Sequence, residues 1–130
     1  MTTISLEPVG RVESELIDRV MAPKQGHEGA PEAWIVFAPH LAGALDGMQV
    51  GDRIILLTWL DRADRATLKV HPRSNPATPL QGVFSTRSPD RPNPIGLHPV
   101  EVLAIEGTRI RVNNLEALDG TPVLDVKPVI

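Results

Sequence analysis

The sequence has no cysteine. Disulfides, thiolate metal sites and a cysteine nucleophile are therefore excluded. A disulfide-free domain is most at home in a reducing compartment, so a cytoplasmic location is expected. Aromatic side chains are nearly as scarce: Trp34, Phe37, Trp59 and Phe84 are the whole set, with no tyrosine. A protein that binds single strands by stacking bases on aromatic platforms usually needs more. Apolar runs are short. The longest, Ile54 to Leu60, includes Thr58 and falls far below the roughly 20 residues that span a bilayer. The N-terminal Met-Thr-Thr-Ile-Ser-Leu-Glu-Pro lacks the basic and apolar regions of a signal peptide. No membrane partner is expected. His27, His40, His71 and His98 show no His-x-x-x-His spacing, so no metal is expected either. There is no Gly-x-Ser-x-Gly for a hydrolase elbow and no Gly-x-Gly-x-x-Gly for a dinucleotide fold.

What is present is a 130-residue chain, 42% hydrophobic and 22% charged, which suits one globular domain over residues 1–130. A core of this size folds alone only with a modest margin, so self-association is a natural expectation. The net charge is -3, which argues against a general polyanion binder. Its distribution is uneven. Residues 1–50 hold seven acidic against three basic side chains, whereas residues 51–95 hold seven basic against four acidic. The positive middle third could still present one face to phosphate, through Arg53, Arg62, Arg65, Lys69 and Arg73. The bland alternative is a solvated face whose arginines pair with Asp61 and Asp64.

Thirteen prolines and ten glycines leave little room for long helices. The remaining segments read as strands. Ile4 to Val12 is short and irregular. Ala33 to Ala38 and Arg53 to Leu60 are apolar and rich in strand formers. Ala66 to His71 alternates and reads as the partner of the Arg53–Leu60 strand. Leu97 to Ile105 and Thr108 to Asn113 flank Glu106-Gly107 and predict a hairpin. Pro122 to Lys127 follows the Asp119-Gly120 turn. Pro39 to Leu45 predicts one or two helical turns. The fold class is therefore all-β, a barrel or a sandwich.

Residues 72–99 carry seven of the thirteen prolines. Such a stretch is often a linker. Val83-Phe84 and Ile95-Gly96-Leu97 are apolar inserts that a solvated linker would not need, and so point to a functional loop. Within it, Arg87-Ser88-Pro89-Asp90-Arg91-Pro92-Asn93-Pro94-Ile95-Gly96 sets two guanidiniums and an amide on a backbone already stiffened by proline. A polar small molecule binds such a frame at low entropic cost. Either arginine could instead pair with Asp90 merely to pin the loop. A second cluster, Leu118-Asp119-Gly120-Thr121-Pro122-Val123-Leu124-Asp125-Val126-Lys127-Pro128, joins a turn to a strand. Asp125 and Lys127 there share a face and want a partner, each other or a ligand.

Taken together, the two clusters resemble the TsaA-like (TrmO-type, YaeB-like) family of S-adenosylmethionine-dependent tRNA methyltransferases, from Pro8-Val9-Gly10 to Lys127-Pro128. The resemblance implies a barrel-like β domain, a homodimer, and S-adenosyl-L-methionine as cofactor beside the proline-rich loop. It implies N6-methylation of threonylcarbamoyl-adenosine at position 37 of tRNA. Matching the family's motifs residue by residue, it implies cofactor contacts at Pro23, Lys24 and Gln25, at Leu60 and Asp61, at Arg87 and Leu97, and at Leu118, Asp119, Gly120 and Thr121. Lys24 stands where the family usually has arginine, and Asp61 where it commonly has histidine. Arg91, Asn93, Asp125 and Lys127 also match the motifs. Many bacterial members carry a further C-terminal domain thought to help with tRNA, which this sequence is expected to lack. No residue stands out as the base that collects the acceptor's proton. Two other readings fit the same residues: a regulatory module that binds S-adenosylmethionine, and a methyltransferase with a small-molecule acceptor.

Overall fold

The computed structural model describes residues 2–130. It contains eight strands: β1 (Gly10–Glu13), β2 (Ala33–Phe37), β3 (Arg53–Trp59), β4 (Lys69–Val70), β5 (Gln81–Gly82), β6 (Ile95–Glu106), β7 (Arg109–Val112) and β8 (Pro122–Pro128). Six of them close into a barrel in the order β1-β2-β7-β6-β3-β8, with β8 returning to β1. Every pairing is antiparallel. The expected all-β, barrel-like class is what the chain adopts.

Side-chain alternation builds the core. On β3, Ile54, Leu56 and Thr58 turn inward; on β6, Gly96, His98, Val100 and Val102 do so. Val12, Ile35, Ile110, Val112 and Val123 complete a filling of β-branched residues that is fully excluded from solvent. The inward series of β3 and β6 are apolar along most of their length and become polar at one end, at Thr58 and His98. That end of the barrel meets the proline-rich segment.

The expected hairpin at Glu106-Gly107 joins β6 to β7. Pro39 to Leu45 forms a 3-10 helix as anticipated, and no α-helix occurs among the described residues. Three expectations need correction. The strand expected over Ile4 to Val12 is confined to Gly10–Glu13; residues 2–8 lie exposed, and the chain joins the barrel only where Val9 N–H bonds Val123 O. Ala66 to His71 does not pair with β3, because β6 and β8 already occupy both edges of that strand. Only Lys69 and Val70 are extended, and they pair with β5 in a separate ribbon outside the barrel. The proline-rich stretch is also shorter than expected, since β6 begins at Ile95. Pro99 is tolerated inside that strand because β7 pairs with β6 only from Val102 onward, so one side of the strand has no ladder there.

Candidate functional site

A cleft of about 810 Å³ lies at the polar end of the barrel. Its size is within the usual range for a small-molecule site. Segment 22–25, the turn after β3, the loop 71–74, the proline-rich arm 84–91, the start of β6 and the loop 116–121 all contribute walls. Nine of the eleven residues singled out for the cofactor line this one space: Pro23, Lys24, Gln25, Leu60, Asp61, Arg87, Leu97, Leu118 and Thr121. Asp119 and Gly120 do not. The Asp119 carboxylate accepts the Ser14 N–H, and its own N–H bonds Leu16 O. Gly120 takes a left-handed φ of 82° and donates to Val12 O. These two residues make the turn that holds Leu118 and Thr121 at the cleft.

Between its buried ends, Val83 and Pro94, the arm is held mainly by arginine. Arg91 donates to three backbone carbonyls, those of Ser88, Val83 and Thr86, at 2.6–2.8 Å. Arg65 binds Pro92 O and Asn93 Oδ1 and lies over the Trp59 ring, 5.0 Å from its centroid. Arg19 grips both oxygens of Asp90. Burial raises the Asp90 carboxyl, but the Arg19 hydrogen bond, the Asp64 N–H and the Arg19 charge outweigh it and hold it below the ordinary 3.8. Loop pinning is therefore the role of Arg91 and of Asp90.

Arg87 is the contrast. Its guanidinium makes no hydrogen bond or ion pair to any described residue, and it lines the cleft. Lys24 reaches Ser74 Oγ at 3.3 Å. Arg73 and Ser74, on the facing wall, both have left-handed backbones with φ of 56° and 58°, a conformation that costs a non-glycine residue free energy. Asp125 and Lys127 lie outside the cleft and pair with each other at 3.4 Å. Of the five basic residues on the possible phosphate face, three are engaged within the chain. Arg62 bonds Ile17 O, Arg65 holds the arm, and Arg73 binds both oxygens of Glu28. Asp61 and Asp64 are not their partners.

Sequence reasoning missed a polar chain on the cleft floor. Thr58 Oγ1 lies 2.6 Å from His98 Nε2, and His98 Nδ1 lies 2.7 Å from Glu116 Oε1. His98 is 2% exposed. Gly96, opposite Thr58 in the β3–β6 register, makes room for it. A Cβ at position 96 would collide with Thr58 Oγ1 and His98 Nε2. The signal was the inward period of β6, in which a histidine interrupts an apolar series. Among the described residues no cluster of three or more His, Asp or Glu side chains could hold a metal.

Comparison with known proteins agrees with this architecture. The family described as the tRNA-methyltransferase O N-terminal domain matches residues 11–130. A "Probable S-adenosyl-L-methionine-binding protein" of Methanothermobacter thermautotrophicus is 45% identical over 125 residues, which cover 96% of this chain and 89% of that protein. An "S-adenosyl-L-methionine-binding protein" of Archaeoglobus fulgidus is 43% identical over 122 residues, 94% of this chain and 86% of that protein. The crystal structure of TrmO from Pseudomonas aeruginosa superimposes with a TM-score of 0.78 at 30% identity, covering 99% of this chain and 57% of that one. The chain thus spans a little over half the length of that solved structure. With a family match across nearly its whole length and the same barrel, the chain belongs to the tRNA-methyltransferase O N-terminal domain family.

Proposed function

We propose that the cleft binds S-adenosyl-L-methionine and that the protein is a methyltransferase acting on tRNA, by N6-methylation of threonylcarbamoyl-adenosine at position 37. The observation that carries this is Arg87, which lines the cleft of a chain in this family with no hydrogen-bond or ion-pair partner among the described residues. The residues present fit the cofactor's chemistry. The Arg87 guanidinium suits its carboxylate. Asp61 offers a carboxylate to an ammonium or a ribose hydroxyl. Leu97 and Leu118 offer apolar cover to the adenine. When bound, the cofactor supplies an electrophilic methyl group for an in-line displacement.

The chain's own contribution is then alignment. A displacement of this kind gains much of its rate from fixed orientation, and the arm that Arg91 and Arg65 hold rigid is suited to giving it. Segment 22–25 and the arm both contribute to the walls of the cleft. Incubation with methyl-labelled S-adenosylmethionine and total tRNA, followed by nucleoside mass spectrometry, tests the reading. One labelled methyl on threonylcarbamoyl-adenosine is expected, and bound cofactor without any labelled nucleoside would count against it.

A second reading is favoured by one observation. Arg62, Arg65 and Arg73 are already engaged inside the chain, which leaves mainly Arg53 and Lys69 for phosphate. A small-molecule acceptor, or a regulatory role in which the cofactor is only bound, needs no phosphate face. The salt dependence of RNA association separates the readings, because contacts to phosphates weaken steeply as salt rises.

A homodimer belongs to the same proposal. Phe84, at 86% exposed, stands on the cleft rim with half-exposed Ile95 and Leu97. An apolar rim of this kind is suited to a second copy that closes the cleft. Light scattering at micromolar concentration is expected to give twice the monomer mass. Phe84→Asp is expected to halve it.

A further inference from the structure

Glu116 carries one oxygen that the fold does not use. The carboxylate is largely buried, with its side chain 16% exposed, and it lines the cleft. Oε1 accepts from His98 Nδ1 at 2.7 Å. An ionised carboxylate can only accept, so Nδ1 carries the proton, and in the neutral imidazole Nε2 then accepts from the Thr58 hydroxyl at 2.6 Å. Each member of the chain Thr58–His98–Glu116 is thereby satisfied except Oε2, which accepts no hydrogen bond from any described residue. Gly26 keeps that oxygen uncovered. A Cβ there would stand 3.0 Å from Oε2 and would also strike Asn114 O. Leu115 and Ala117, both buried on either side of Glu116, fix the loop beneath it.

No side-chain oxygen among the described residues is both buried and unpartnered, so Oε2 opens to the cleft, where a ligand N–H can replace water on a carboxylate that His98 already holds in place. We propose that Glu116 Oε2 receives the α-ammonium of an amino-acid tail on the ligand in this cleft, while Arg87 receives the α-carboxylate. His98, backed by Thr58, is the positioning residue that holds Glu116 in that orientation. An ammonium has three N–H donors to offer, whereas a sulfonium has none, and it is a donor that Oε2 lacks. The assignment rests on the cofactor reading above and deepens it, because it concerns recognition of the amino-acid portion rather than the reacting methyl group.

Calorimetric affinities for three compounds test it: S-adenosylmethionine, S-adenosylhomocysteine, which lacks the positive sulfur, and methylthioadenosine, which lacks the amino-acid tail. Glu116→Gln keeps an acceptor for His98 but loses the charge. It is expected to weaken the first two alike, by about 10- to 100-fold, and to leave the third unchanged. Thr58→Val is expected to give the same pattern at about a third to a tenth of that size, with the melting temperature reporting that both variants fold. A loss confined to S-adenosylmethionine would place the carboxylate against the sulfonium and overturn the assignment. Equal losses for all three compounds would mean a merely structural role and also overturn it, as would no loss at all. A wild-type protein that binds none of the three overturns the cofactor reading itself, and this assignment with it.

Discussion

The barrel and the proline-rich arm beside it are held by different forces. The barrel is closed by ladder hydrogen bonds and filled with branched apolar side chains such as Leu56, Ile110 and Val123, which no solvent reaches. The arm runs between two buried ends, Val83 and Pro94, and has little to bury between them. Its shape comes from arginines that reach backbone carbonyls, and from prolines that remove alternatives. A core spreads its stabilisation over many small contacts, whereas the arm concentrates it in Arg91, Arg65 and the Arg19–Asp90 pair. That division explains why two arginines four residues apart behave so differently. Arg91 builds the wall, and Arg87 is left free to meet a ligand.

The largest effect should come from breaking the barrel. Ile110→Ala removes a fully buried side chain at the β2–β7 contact and is expected to cost about 2–5 kcal/mol in urea unfolding. The loss should appear as a shift of the midpoint at constant slope, and affinity for the cofactor should hold at temperatures where the chain stays folded.

Next in size is Arg91→Ala. It takes the donor from Ser88 O and Thr86 O, while Val83 O keeps the Thr86 N–H and hydroxyl; because water reaches this half-exposed segment, the total is expected to be about 1–3 kcal/mol. The expected outcome is local: rapid proteolysis within residues 83–94 and loss of cofactor binding, with amide exchange in β3 and β6 unaffected. If the barrel amides exchange faster as well, the two regions are one cooperative unit and the contrast fails.

Arg87→Ala sharpens the same contrast from the other side. With no partner among the described residues, its removal should leave proteolysis and melting temperature unchanged. Binding of S-adenosylmethionine should weaken by about 10- to 100-fold, the worth of one charge-assisted contact. Calorimetry on the folded variant measures this directly. Increased cleavage of the arm would show that Arg87 also holds structure.

The two regions also differ in how far the amino-acid pattern revealed them. The barrel was legible because alternation and turn residues are local signals: Ile54, Leu56 and the Glu106-Gly107 turn announce their own strands. The edges of the reading failed where the answer depended on distant neighbours. Lys69–Val70 has a strand pattern, but nothing near it in sequence says that both sides of β3 are taken. Nine of the eleven expected cofactor residues line one cleft because the resemblance supplied them, not because spacing did. Arg87 and Arg91 were indistinguishable in the motif, since only the fold shows which carbonyls surround Arg91. Glu116 and His98 were passed over for a related reason. They are 18 positions apart, and it is the inward face of β6 that brings them together.

The smallest expected effect is a pH dependence in the arm alone. Asp90 has a folded-state pKa below its ordinary 3.8, because the Arg19 and Asp64 contacts outweigh the cost of its partial burial. A depressed carboxyl binds protons less readily when folded than when unfolded. Its contribution is therefore fully present above the unfolded value of about 3.8 and is lost as pH falls through the lower folded value. Asp90→Asn keeps an acceptor for the Asp64 N–H and has no proton to gain. The wild type should exceed it in stability by no more than about 1 kcal/mol at neutral pH, since the pair is partly exposed and shared with solvent. Thermal unfolding of both proteins from pH 7 downward measures that difference. It should stay constant to about pH 4 and then close on the acid side of 3.8. A difference that instead grows on acidification would mean that the protonated form is the one the arm prefers, and that Arg19 is not what holds Asp90 in place.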